Sequence, residues 1–297
     1  MVVEGVTSFS QSAGKPRLFL DAMRDRKCDL LIHKVEPVTK QDICLAHDMA
    51  YVNGVFDLTT PNGFGNCDPR IPPSTLWTIG SLTSALLSRH KLNGSVCSPT
   101  SGFHHAGHAF GGRYCTFNGI MVAAAVYLKA NPLHKVGILD CDVHYGNGTD
   151  DIIREVPFFL DRVVHRTVGQ HFTPGDKVPN GLFMMWLKGA VEDVSSCDVV
   201  IYQAGADMAA TDPLGGYLSP TGMHIRDMTV FEALTKKVVW NLAGGYQDIT
   251  DIINVHIRTA RIAAEAAGGR ANTMAKSQAR MDQFYRTHYY VSDYEKA

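Results

Sequence analysis

Residues 135–149 read Lys135-Val136-Gly137-Ile138-Leu139-Asp140-Cys141-Asp142-Val143-His144-Tyr145-Gly146-Asn147-Gly148-Thr149, an apolar run that ends in two carboxylates and an imidazole at alternate positions. In a strand, side chains i, i+2 and i+4 share a face. Asp140, Asp142 and His144 therefore converge if the extended conformation lasts that far. Gly146 and Gly148 then let the backbone turn sharply away. Carboxylates packed together repel unless a cation or a proton neutralises them, which makes the run a metal-site candidate. The competing reading is a polar strand end capped by a Gly-rich turn.

Working outward, strand-like runs stand at Asp29–His33, Gly94–Ser98, Arg162–His165, Asp198–Tyr202 and Val238–Leu242. Helical spacing begins at Thr39, where Asp42 three residues on forms a capping-box pattern, and continues to about residue 52. His47 and Asp48 read as ordinary residues of that helix. Further helices are expected at about 74–90, 118–129, 181–194 and 219–237, whereas 1–16 reads as an irregular lead-in and 57–73 as a long Gly/Pro/Asn loop. Helices alternating with continuously apolar strands indicate an α/β fold, an open, mainly parallel sheet with helices on both faces. The absence of a repeat or linker reads as one domain over 1–297.

A hydrophobic content of 45%, a charged content of 19% and a formal net charge of −1 fit a globular chain with a sizeable core and no basic footprint for nucleic acid. No apolar run is long enough to span a membrane, and Met1 to Lys15 lacks a signal-peptide pattern. The seven scattered cysteines, odd in number and without a CxxC pair, read as reduced thiols in a cytoplasmic protein.

The polar clusters follow successive strands: His104-His105, then Asp140/Asp142/His144, then Gly205-Ala206-Asp207, then Gly244-Gly245-Tyr246. Open parallel sheets bind ligands beyond the carboxyl ends of their strands, so the four clusters meet at one edge. Asp142, His144 and Asp207 offer a metal three ligands and leave a position open, the catalytic pattern. Imidazole and carboxylate donors suit zinc, and also iron(II) or cobalt(II). His104 and His105 are candidates for proton transfer, and Tyr246 for donating a hydrogen bond to an oxyanion. Phe103, Tyr114 and Phe172 are either core or the walls of a channel for an apolar chain.

As a set, Gly102-Phe103-His104-His105-Ala106, Tyr114-Cys115-Thr116-Phe117-Asn118, Leu139–Thr149, Gly205-Ala206-Asp207 with Asp212-Pro213-Leu214-Gly215, and Asn241–Tyr246 resemble the zinc-dependent histone deacetylase family, in the arginase/deacetylase fold. The likeness covers roughly 30–260 and is nearer to bacterial amidohydrolase members. It implies zinc on Asp142, His144 and Asp207, a proton-transfer pair in His104 and His105, and an acyl carbonyl polarised by Tyr246. It further implies that Asp140 orients His104, that Asn147 partners His105, and that Tyr114 walls an acyl-lysine channel. Potassium would be held by Asp140, Asp142, His144, Thr167 and Val168. The implied substrate is an acylated lysine peptide or a small acylated amine such as an acetylpolyamine.

The chain departs from the family pattern at several places. Asn147 stands where many members have Asp, which makes His105 less basic. Tyr145 replaces a common His, and Arg113 precedes Tyr114 where a small Gly is usual, which narrows or charges the pocket mouth. Gly14-Lys15-Pro16-Arg17 stands in place of an N-terminal His-Pro-Glu pattern, and Thr173 lies near the position of a second channel aromatic. Asp68 is a candidate substrate-gripping carboxylate. An arginase-like ureohydrolase would need an Asp-x-His-x-Asp run and two metals, and a degenerate binding protein would lack a ligand or Tyr246.

Overall fold

Five segments pair as parallel strands: β1 Val96–Ser98, β2 Val136–Asp140, β3 Val163–Thr167, β4 Val199–Gln203 and β5 Val238–Asn241, in the order β1-β5-β4-β2-β3. A computed structural model of the protein describes residues 13–26, 28, 30–92 and 94–268. β2 lies between β4 and β3, with Ile138 opposite Ile201 and His165, and Asp140 opposite Gln203 and Thr167. Alternation divides the strands between two cores. Val136, Ile138, Val199, Ile201 and Val239 join Leu82, Leu86, Ile120 and Leu128 of helices α4 (Ile71–Ser88) and α5 (Gly119–Ala130). Leu139, Val200, Tyr202 and Trp240 join Phe183, Leu187 and Phe231 on the other face, beneath α7 (Asn180–Ser195), α8 (Pro220–Leu234) and α9 (Ile249–Gly268). Burial on both faces explains why the three inner strands β2, β4 and β5 read as apolar runs, whereas the edge strands β1 and β3 are only partly buried.

Several details differ from the sequence reading. Residues 30–39 form no strand: Leu31 and Ile32 are 79% and 60% exposed, and an isolated run without a ladder partner gains nothing from extending. The helix starting at Thr39 has its capping box but stops after one turn, as α2 (Lys40–Ile43), and α3 (Met49–Phe56) restarts with Asp48 as N-cap. His47 sits in the break, buried, and its Nε2 accepts a hydrogen bond from the Asn118 amide at 2.8 Å. Neither residue is an ordinary helix position.

Three helices lie outside the expected ones: α1 (Lys15–Asp25), α6 (Asn147–Glu155) and α9. The 57–73 loop ends earlier than expected, because Pro72 and Pro73 stand in the first turn of α4. It is fastened through Tyr114 N–H to the Gly63 carbonyl (2.9 Å) and Gly63 N–H to Thr116 Oγ1 (3.1 Å). Among the described residues no helix is long and apolar enough to cross a membrane. None of the seven cysteines is in a disulfide.

Candidate metal centre

The strand β2 ends at Asp140, so simple alternation does not carry through to His144. Local hydrogen bonds do the work instead. The Asp142 amide donates to Asp140 Oδ1 (3.1 Å), and the His144 amide donates to Asp142 Oδ1 (3.0 Å), folding the segment back over its own carboxylates. Gly146 and Gly148 serve close approach rather than an unusual turn. Gly146 has φ −72°, and a Cβ on Gly148 would stand 2.3 Å from the Ala106 carbonyl oxygen. The first turn of α6 is therefore pressed against the His104-His105 loop, with the Gly148 amide donating to the His104 carbonyl (2.9 Å).

Asp142, His144 and Asp207 converge: their ligand atoms all lie within 4.8 Å of one another. His144 Nδ1 stands 3.0 Å from Asp142 Oδ1 and 3.0 Å from Asp207 Oδ2. Both carboxylates are buried. Burial, and then the charge of Asp142, push the Asp207 carboxyl well above its ordinary range. Burial would raise Asp142 too, but His104 and His144 hold it below that range. Two buried acids forced apart in this way form a set that a cation relieves. Its donors, two carboxylate oxygens and one imidazole nitrogen, fit a zinc-type ion.

The histidine pair is asymmetric. The rings of His104 and His105 lie 4.1 Å apart, and both are buried. His104 Nδ1–H donates to Asp140 Oδ2 at 2.7 Å, and His105 Nδ1–H donates to Asn147 Oδ1 at 2.7 Å. Burial disfavours the charged form of His104, yet Asp140 and Asp142 outweigh it and raise the imidazole to about 9. His105 is drawn down to about 3, first by burial and then by the charge of His104, with only a neutral amide as its partner. Tyr246 is half-buried, its ring 5.7 Å from that of His144, and its amide donates to Asp212 Oδ2 (2.8 Å). Burial and the nearby carboxylates Asp142 and Asp207 push its phenol far up, so it is an O–H donor at neutral pH.

A cleft of about 710 Å³ opens over the site, with Phe64, Arg113, Tyr114, His105, His144 and Tyr246 in its lining. Below it a narrow chamber of about 20 Å³ reaches Phe103, His104, His105, Asp142 and Tyr246. Tyr114 lines both spaces and faces Phe64, with ring centroids 5.9 Å apart. Two channel candidates lie elsewhere. Phe172, half-buried after the short turn Val168–Gln170, packs edge-on against Tyr217 at 6.0 Å and against the core under α7 and α8, and it lines neither space. Asp68 is absorbed by Arg70, whose Nη2 lies 2.6 Å from Asp68 Oδ2, and it lines neither space. Thr173 is likewise outside both linings. Thr167 and Val168 are buried at the end of β3, and the β2–β3 register sets Thr167 beside Asp140.

Three supporting residues carried no local signal. Lys15 is fully buried at the start of α1, its Nζ donating to the carbonyls of Leu242 (2.7 Å) and Gly244 (2.5 Å) and to Ser101 Oγ (2.8 Å). It thereby holds the loop in which Gly244 and Gly245 adopt φ of +54° and +99°. Arg226 Nη1 donates to the Gly205 carbonyl (2.6 Å), and its Nε donates to Asp227 Oδ1 (2.9 Å), anchoring the Asp207 loop from behind. Asn118 Nδ2 donates to the Ala106 carbonyl (3.1 Å) and so braces the histidine loop. Each acts across a long sequence separation that local patterning does not reveal.

The histone deacetylase domain model matches residues 11–184, and the chain belongs to that family. It is 29% identical over 204 residues to an uncharacterized protein of Picosynechococcus sp., covering 61% of this chain and 66% of that one. It is 30% identical over 246 residues to Histone deacetylase 15 of Arabidopsis thaliana, covering 70% of this chain and 44% of the relative. With Histone deacetylase 7 of Homo sapiens the figures are 29% over 203 residues, 57% and 20%. The matched stretch thus spans less than two thirds of each relative's own length. The crystal structure of the HDA15 HD domain superposes with a TM-score of 0.68 at 20% identity, over 90% of this chain and 85% of that one, and shares the fold.

Proposed function

We propose that this chain is a deacylase that hydrolyses an N-acyl amide, foremost acetyl-lysine, with zinc held by Asp142, His144 and Asp207. The observation that carries the reading is the donor set itself, two buried carboxylates and an imidazole with ligand atoms within 4.8 Å, set beside a histidine pair and Tyr246 at the foot of one cleft. A divalent cation bound there supplies Lewis acidity, polarising an acyl carbonyl and making water more acidic. The chain's residues supply the rest.

His105, neutral and with Nδ1–H committed to Asn147, offers Nε2 to take a proton from the attacking water. His104, with Nδ1–H donated to Asp140, is placed to pass a proton to the departing amine. Tyr246 donates its hydroxyl hydrogen to the carbonyl oxygen as that atom becomes an oxyanion. Tyr114 and Phe64 wall the approach for an apolar side chain. A potassium ion at Asp140, Asp142, His144, Thr167 and Val168 belongs to the same proposal, supported by the pairing of Asp140 with Thr167 across β2 and β3. So do one catalytic domain over 1–297 and a reducing, cytoplasmic setting, the latter supported by seven cysteines without a disulfide.

The test is hydrolysis of a fluorogenic acetyl-lysine peptide, beside its trifluoroacetyl analogue and an acetylpolyamine, by zinc-loaded and metal-stripped protein. Zinc-dependent release of acetate from the peptide supports the reading. Equal rates with and without metal, or no turnover of any of the three, would sink it.

A further inference from the structure

Arg113 and Tyr114 both adopt positive φ, +49° and +67°, a conformation that costs a non-glycine residue energy and persists where neighbours impose it. The neighbours are evident. The Gly112 and Cys115 amides donate to each other's carbonyls at 2.9 Å, and the Tyr114 amide donates to Gly63 at 2.9 Å. The result sets Arg113 in the lining of both the outer cleft and the inner chamber, close enough for its charge to help depress His105.

Its guanidinium has no hydrogen-bond or ion-pair partner among the described residues, whereas Arg70, Arg154 and Arg166 are each paired with a nearby aspartate. No Asp or Glu lines the outer cleft, and Asp142, in the ligand set, is the one acid lining the chamber. A five-donor planar cation at the entrance, without an internal acid to satisfy it, matches a carboxylate geometrically and electrostatically. The same cation repels the second ammonium of a polyamine.

We propose that Arg113 selects substrates bearing a carboxylate near the scissile amide. This inference rests on the deacylase reading and names the substrate class of that site. The carboxylate sits either on the acyl group, as in a dicarboxylic acyl-lysine, or on the amine side, as an acidic residue flanking the acyl-lysine.

The test uses the zinc-loaded full chain and three peptides: acetyl-lysine flanked by Asn, acetyl-lysine flanked by Asp, and succinyl-lysine flanked by Asn. At low salt the native protein favours one carboxylate peptide over the neutral one by about tenfold in kcat/KM. The arm that shows the preference identifies where the carboxylate sits. Raising the salt to 0.5 M shrinks the ratio, Arg113→Gln brings it to about one, and Arg113→Lys keeps part of it. Arg113→Gly, which suits the positive φ, gives the same collapse and separates charge from folding.

Calorimetric binding of Asp- and Asn-flanked peptides carrying a methyl-ketone analogue of acetyl-lysine gives a readout independent of turnover. Turnover without any carboxylate preference, or a preference that survives in Arg113→Gln, overturns this inference and leaves the deacylase reading intact. No turnover, with tighter Arg113-dependent binding of the Asp-flanked analogue, does the reverse. No turnover and no such binding overturns both.

Discussion

Acid should loosen the His104-His105 loop through His47. The imidazole is buried, its Nε2 accepts the Asn118 amide hydrogen (2.8 Å), and its Nδ1 lies 3.3 Å from the His108 carbonyl, which fixes the neutral tautomer protonated at Nδ1. A second proton on Nε2 would meet the Asn118 N–H head on. Burial accordingly pulls the imidazole down to about 4. The unfolded chain takes up the proton near the ordinary value of about 6.5, before the folded chain does. The contribution is therefore fully present above pH 6.5 and is lost as pH falls towards 4, by about 3 kcal/mol in all and about 2 kcal/mol by pH 5. Asn118 braces the Ala106 carbonyl, so the loss reaches the His104-His105 segment. Urea unfolding, followed by tryptophan fluorescence at pH 7.5, 6.5, 5.5 and 5.0, measures it against His47→Gln, whose side-chain oxygen can accept the same N–H without titrating. The native protein should lose stability faster than the variant across that range. Parallel curves for the two proteins would refute the assignment.

Other perturbations follow from contacts already described. Gly148→Ala forces a Cβ to within 2.3 Å of the Ala106 carbonyl oxygen, so it should cost about 1–3 kcal/mol in unfolding free energy and lower turnover by displacing the histidine loop; a fully stable, fully active variant would contradict that packing. Asp227→Ala strips Arg226, Tyr202 (2.6 Å) and Thr259 (2.6 Å) of their shared acceptor and leaves a buried cation, a loss of about 3–5 kcal/mol readable by chemical denaturation. Adding zinc to metal-stripped protein at a hundredfold excess over its dissociation constant should stabilise it by about 2.7 kcal/mol, seen as a rise in Tm. Asp207→Ala should abolish that rise, and an undiminished rise would remove Asp207 from the ligand set.

The central strand and the parallel sheet were legible because parallel strands buried on both faces are apolar along their length, and 136–139, 199–202 and 238–240 are, each followed by one buried polar residue at the strand end. The site clusters were legible because the carboxyl ends of those strands share an edge. The convergence of Asp142 and His144 was read for an incomplete reason: strand alternation ends at Asp140, and backbone amides bonding to the carboxylates complete the turn. Phe172 and Asp68 were misplaced because each has a local partner, Tyr217 and Arg70, that composition alone does not reveal. Lys15 was hidden for the opposite reason. A lysine in a polar lead-in reads as exposed, and only the tertiary fold supplies three acceptors more than 80 residues away, whose hydrogen bonds hold it against a desolvation that lowers its pKa to about 8.

The most direct test of the account compares zinc-loaded native protein with Tyr246→Phe on the acetyl-lysine peptide, measuring kcat and KM separately. Removing one donor to a developing oxyanion should lower kcat by roughly 10²–10³, while KM and the zinc-induced rise in Tm stay close to native. A Tyr246→Phe variant that keeps native kcat would show that the hydroxyl does not meet the reacting carbonyl, and the proposed chemistry of this site would be wrong.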